Sequence, residues 1–179
     1  LLRSSPAAAD EQCLWEIDGI RHAERWGDIT KIETVERVRT TTVDAYIAAG
    51  HAAPDVLSLD VQGAEMRVMR GAASALKNIL CVITEVEFHE IYEGQVLFDH
   101  QMSFLRGNGF RLCAFYHEQP WHPGEPNGDG FLTVAEAVWF RYGESLERLS
   151  VRQLLDLTVI AASFNRVSYA GKVLDIARK

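Results

Sequence analysis

Two apolar segments that both end on acids constrain this chain more than anything else in it. The first, DVLSLDVQGAEMRVMRGA (Asp55 to Ala72), reads as a strand that stops on Asp60, turns at Gly63 and enters a helix. The second, TEVEFHEIYEGQVLF (Thr84 to Phe98), reads as a strand that runs out into Glu, His and Tyr side chains. Near-continuous apolar runs suit strands covered on both faces. In open α/β sheets, ligands bind beyond the carboxyl ends of the strands. Two strands that stop on polar residues at one edge therefore make a site.

The rest of the chain fits an α/β reading. Strands are expected at Val56 to Val61, Ile79 to Val86, Phe110 to Tyr116 and Ala137 to Arg141. Helices are expected at Ala64 to Lys77, broken or kinked at Gly71, and at Phe98 to Arg106. This order predicts a mostly parallel sheet, with the last two strands as an antiparallel hairpin at one edge. The Pro- and Gly-rich run Glu118 to Gly130 reads as a loop. Upstream, Glu11 to Trp26 is read as helical despite Gly19, and Thr30 to Arg39 as an edge strand or extended approach. Thr42 reads as the N-cap of a short helix, because its hydroxyl can accept from an orphan amide. Leu146 to Phe164 and Tyr169 to Arg178 form an amphipathic helical tail. The chain thus divides into a connecting segment (1–39), a domain portion (40–143) and a tail (144–179).

Composition excludes several classes. A length of 179 residues fits one domain with a sizeable core. The net charge is −7 with no basic cluster, which argues against nucleic-acid binding, since phosphate contacts need clustered cations. Apolar runs such as Ile79 to Ile83 are far too short to span a bilayer. The N-terminus lacks a charged segment followed by an apolar core, so no secretory signal is read. Cys13, Cys81 and Cys113 make neither a disulfide framework nor a zinc motif. A cytoplasmic location is expected.

The ordered series TTTVDAYI, PDVLSLDVQGAEMRVMRGA and EVEFHEIYEGQVLFDHQMSFLRGNGFRL, with AEAVWFR later, resembles the FkbM family of methyltransferases over roughly Thr40 to Arg141. The resemblance implies a Rossmann-like class I methyltransferase sheet that uses S-adenosylmethionine. It implies O-methylation of a hydroxyl on a sugar, glycolipid or natural product. No GxGxxG-like run precedes Thr40. The chain is therefore read as the C-terminal half of such a fold, a partial sheet without the glycine turn that binds the cofactor. The alternative is a non-catalytic remnant that assembles with a partner chain, such as a complementing N-terminal half, or as a homodimer.

Within this frame, Asp60, Gln62 and Gly63 are expected on the cofactor side. A carboxylate ending a buried strand needs partners, and Asp60 has two readings, ligand contact or cap of the Gly63 turn. Glu65, in the first helical turn, reads better as a cap that suits the helix dipole. Glu85, Glu87 and His89 alternate, so on an extended chain they project to one side. They are the candidate catalytic residues. Close carboxylates raise one pKa, and histidine titrates near neutrality. Tyr92 and Trp121 are candidates for the acceptor pocket, with packing or solvent exposure as the competing readings. The side chains of Asp60, Glu85, Glu87 and His89 also suit Mg²⁺ or Mn²⁺. The resemblance carries no metal motif, so no metal is expected.

Overall fold

The computed structural model describes residues 2–124 and 129–179. Strands β1 (Glu11–Ile17), β2 (Ile20–Arg25), β3 (Val56–Leu59), β4 (Cys81–Glu87), β5 (Phe110–Pro123) and β6 (Phe131–Arg141) form one sheet, ordered β2-β1-β5-β6-β4-β3. Only β3 and β4 pair parallel; every other neighbouring pair is antiparallel. The expected mostly parallel, Rossmann-like sheet is therefore overturned. The sheet is mixed, mostly antiparallel and curled. The physical reason is strand placement. β6 does pair antiparallel with β5, but it also inserts beside β4 and runs against it. The β5–β6 pair consequently lies inside the sheet, with β1 on the far side of β5.

The β1–β2 hairpin replaces the helix expected at Glu11 to Trp26. Its turn is Asp18-Gly19, with φ of 52° and 77°. Two consecutive positive φ values are what a two-residue hairpin turn requires, and Asp-Gly supplies them. Thr30 to Arg39 forms no strand, and residues 31–39 are exposed. Half of the expected Pro/Gly loop is strand, because β5 continues to Pro123; residues 125–128 of that run lie outside the described residues.

Six α-helices are described: α1 (Trp26–Ile29), α2 (Val43–Ala48), α3 (Glu65–Arg70), α4 (Phe98–Gly107), α5 (Val151–Ser163) and α6 (Val167–Ala177). Thr42 caps α2 as expected, its hydroxyl accepting from the Ala45 amide at 3.1 Å. The helix expected at Ala64 to Lys77 ends early, with Gly71 as its C-cap. A Cβ on Gly71 would lie 3.1 Å from Thr42 Cβ, so α2 and the end of α3 meet closely there. A 3₁₀ turn follows at Ala75–Lys77. Its Ser74 and Ala75 amides, each at 2.9 Å, donate to the Asp44 carboxylate. These bonds hold the Asp44 pKa below its ordinary value.

Period-two alternation along β4 divides the core. Val82 and Val86 pack with Met66, Met69, Leu76, Leu105 and Trp139 on the side of α3 and α4. Cys81 packs with Val138, Phe140, Leu154, Leu157 and Val173 on the side of α5 and α6. β4 is thus covered on both faces, which explains its apolar run. The tail begins with a capping box. Ser150 Oγ accepts from the Gln153 amide at 3.3 Å, and Gln153 Oε1 accepts from the Ser150 amide at 3.0 Å. Arg141, at the end of β6, is buried. Its Nε donates to Ile79 O and its Nη1 to Asn108 O, both at 2.7 Å, and the guanidinium lies 4.3 Å from the Phe110 ring centroid. Among the described residues no helix is long and apolar enough to cross a membrane.

Candidate active site

The parallel pairing of β3 with β4 puts the ends of both strands on one side of the sheet. A cleft of about 170 Å³ opens there, lined by Leu59, Asp60, Glu85, His117, Gln119 and Glu136, among others. Asp60 and Glu85 therefore face a common opening. Gln62 links them, its Nε2 donating to Asp60 Oδ1 at 2.5 Å and to Glu85 Oε2 at 3.4 Å. Gln62 Oε1 in turn accepts from the Tyr92 hydroxyl. The turn that presents Gln62 is left-handed at both Gln62 (φ 54°) and Gly63 (φ 84°). For glutamine that conformation is strained, and such strain gathers where a side chain must be aimed.

Glu65 holds this turn from inside. It is 1% exposed, and its Oε1 accepts from the Val61 amide at 2.9 Å and the Gly63 amide at 3.3 Å. The capping role weighed for Asp60 thus belongs to Glu65, while Asp60 is exposed rather than buried. Carboxylate oxygens of Glu65, Glu85 and Glu87 lie within 4.8 Å of one another. Burial pushes Glu85 up to about 8, with the charges of Asp60 and Glu65 adding to the effect. Burial likewise pushes Glu87 up to about 9, followed by the charges of Glu65 and Glu85. A carboxyl titrating near neutrality is suited to moving a proton.

Other hollows lack this chemistry. One of about 520 Å³ is lined by Met102, Arg106, Phe110, Arg111, Trp139 and Tyr142, and one of about 160 Å³ by Cys113, Phe140, Arg166 and Tyr169 with their neighbours. Neither has a carboxylate in its wall.

The family model of the methyltransferase FkbM domain matches residues 8–112, more than half of the sequence. The chain belongs to the FkbM methyltransferase family. No curated protein and no solved structure matches it significantly. Methyl transfer is the chemistry of this family. The matched span starts earlier than the resemblance in the motifs, so it takes in the β1–β2 hairpin. It also ends earlier, leaving His117, Gln119, Trp121 and Glu136 outside.

In this FkbM chain the cleft gathers Asp60 and Glu85, with Gln62 bridging them. Glu87 lies behind them, fully buried. Tyr92 is buried too, with its hydroxyl on Gln62 and its ring 5.3 Å edge-on to Trp26. Gly63 makes room within the protein itself, since a Cβ there would meet the Tyr92 ring at 2.9 Å and Leu2 at 3.0 Å. His89 is not brought to the cleft. Its Nε2 stands 3.4 Å from Glu11 Oε2, outside hydrogen-bond geometry. Trp121 is also absent from the cleft; it is buried 4.7 Å from Trp26, in a cluster with Cys13 and Val134.

Glu136 and Gln119 are polar lining residues that the motifs did not single out, and His117, at the edge of the expected Pro/Gly loop, joins them. Glu136 carried a signal, being the lone charge inside the apolar run Val134 to Val138. Starting that strand at Ala137 left it out. His117 depends on a β-bulge, in which the two residues between Tyr116 and Gln119 oppose the single Ala135. His117 is left-handed there (φ 50°), and its Nε2 lies 3.9 Å from Glu136 Oε2. Bulges re-aim side chains in this way, and nothing in local sequence marks them.

Proposed function

We propose that this chain carries the acceptor-side machinery of an S-adenosylmethionine-dependent O-methyltransferase acting on a hydroxyl of a sugar, glycolipid or natural product. One observation carries the reading. Asp60, directly after β3, and Glu85, near the end of β4, converge on one cleft and are bridged by Gln62. When bound, the donor supplies an electrophilic methyl group on a sulfonium sulfur. The residues present fit such a donor. The cleft wall holds three carboxylates and neither Lys nor Arg, which suits a ligand with a sulfonium and an ammonium group. Asp60 is exposed, and Gln62 engages only its Oδ1, so acceptor capacity remains toward a ligand.

Glu85 is positioned to take the acceptor's hydroxyl proton as the oxygen attacks. Its raised pKa keeps the proton affinity near the working pH, where a general base is worth about 10²–10⁴-fold. Glu136, Gln119 and His117 border the same cleft and orient the acceptor. Alignment of the two reactants contributes more than the base, roughly 7–11 kcal/mol. The bridge from Gln62 to Tyr92 therefore matters as much as any acid. Calorimetric titration with S-adenosylmethionine and transfer of labelled methyl to sugar acceptors test the reading. Glu85→Gln should slow transfer about 10²-fold or more while cofactor affinity holds, whereas Asp60→Asn should weaken cofactor binding. Neither effect appearing in an active preparation rejects the assignment. His89→Ala, away from the cleft, should leave the rate unchanged.

A second reading, a non-catalytic chain that assembles with a partner or a second copy, draws on the sheet's edge. Among the described residues β3 pairs only with β4, and an open edge can accept another strand. Sedimentation showing a stable homodimer, together with no binding of S-adenosylmethionine, would favour it.

A further inference from the structure

We propose that Glu65, Glu85 and Glu87 form a buried binding site for one hard divalent cation, Mg²⁺, Mn²⁺ or Ca²⁺. The assignment stands on geometry and does not depend on methyl transfer. The three side chains bring carboxylate oxygens within 4.8 Å of one another. That span is about twice a Ca²⁺–oxygen distance of roughly 2.4 Å, and a small inward shift of the side chains suits Mg²⁺ at about 2.1 Å. The donor set is all oxygen, which these cations favour over softer metals.

A trio of acids alone would not make a site. The deciding observation is the state of Glu87. It is 0% exposed, and among the described residues neither of its carboxylate oxygens has a hydrogen-bond partner. The Gln95 amide beside it works to lower its pKa, yet Gln95 Nε2 is itself unpartnered. Among the described residues, none of the three glutamates forms an ion pair with Lys or Arg. Burying a carboxylate with neither a donor nor a counter-charge is costly. A proton shared between two of the acids would satisfy one oxygen pair and leave the third carboxylate unanswered. A cation answers both needs. Glu65 can take part without releasing the turn, because Oε1 accepts both backbone amides. Glu85 also lines the cleft, so the cation would lie against the proposed acceptor site and would hold Glu85 ionised; the proton-accepting role of Glu85 belongs to the cation-free site.

The test reads binding rather than activity. The chelator-treated chain is titrated with MgCl₂, MnCl₂ or CaCl₂ in separate runs near pH 8, and its melting temperature is followed. Mn²⁺ stoichiometry is read by electron paramagnetic resonance. At least one ion should raise the melting temperature saturably, with one Mn²⁺ held per chain. In Glu87→Gln, affinity should fall at least tenfold, while the chelated variant melts no lower than chelated wild type. Loss of binding from mere unfolding would instead lower that baseline. If Glu87→Gln does not fold, Glu85→Gln supplies the same comparison from the half-exposed member of the trio. No saturable shift with any of the three ions overturns the proposal, as does a shift that survives both substitutions. Failure of methyl transfer with cation binding intact would count against the proposed function alone.

Discussion

Arg141 and Glu87 are two buried charges near opposite ends of the β4–β6 pair, and they are treated in opposite ways. Arg141 spends its guanidinium on main-chain carbonyls, donating to Ile79 and Asn108 while its face rests on Phe110, with only Nη2 left over. It ties the entry of β4 to the end of α4, and its hydrogen bonds explain why a charge is tolerated there. Glu87 has the same depth and none of that support. A carboxylate only accepts, so it needs N–H, O–H or a cation. The first charge is part of the architecture. The second is a demand placed on something the chain must bind.

The largest expected effect breaks the architectural charge. Arg141→Ala should lower stability by about 3 kcal/mol, since it removes two charge-assisted hydrogen bonds and leaves buried carbonyls unpaired. Urea unfolding measures it, and a loss under about 1 kcal/mol would put Arg141 on the same footing as Glu87. Next in size and opposite in sign, Glu87→Gln in chelated buffer near pH 8 should stabilise the fold by about 2 kcal/mol, by removing the cost of keeping Glu87 protonated above its ordinary range. A destabilised variant under those conditions would mean that the charge already has a partner.

The pH dependence sharpens the same contrast. Glu85 and Glu87 titrate at about 8 and about 9 in the folded chain, above the ordinary 4.5. The folded state therefore holds protons that the unfolded state releases. Their contribution is most favourable below the ordinary glutamate range and is lost as pH rises through about 9. Asp44 has the reverse sign, its bonds to Ser74 and Ala75 weakening as pH falls through the aspartate range. Chelated wild type should thus melt at progressively lower temperature from about pH 5 to 9, and Glu87→Gln should flatten part of that slope. A flat wild-type profile would contradict the raised values. The smallest effect lies in the tail. Ser150→Ala should cost about 1 kcal/mol through loss of the α5 cap, and hydrogen exchange should show faster opening of the first turn of α5 only.

Local chemistry was legible in the sequence where a single residue's own geometry decides the outcome. Thr42 caps α2, Gly71 stops α3, and β4 is a buried strand as its apolar run suggests, while β3 forms where expected but exposes Ser58 at the sheet edge. The Asp18-Gly19 turn was equally written in the sequence, but a helical reading of its flanks hid it. Strand direction was not legible, because it depends on which strands become neighbours. The placement of β6 between β5 and β4 reversed the expected sheet without changing the local character of either strand. The site shows the same division. Alternation along one strand brought Glu85 and Glu87 together. It did not extend to His89, because β4 ends at Glu87 and the chain then leaves the ladder. Glu65 joins the two acids only through the fold of the Gly63 turn.

Residues 2–5 give that turn an unexpected dependence. Leu2 packs beneath Gly63, the Arg3 carbonyl accepts from the Glu93 amide at 2.8 Å, and the Ser5 amide donates to Ile91 at 2.8 Å. The peptide that steers Gln62 is thus braced by chain some sixty positions earlier in the sequence. Nicking or displacing that brace would slacken the mouth of the cleft while every acid in it stayed chemically intact. A label at the far end of α6, which packs against a different core cluster, would leave that brace untouched.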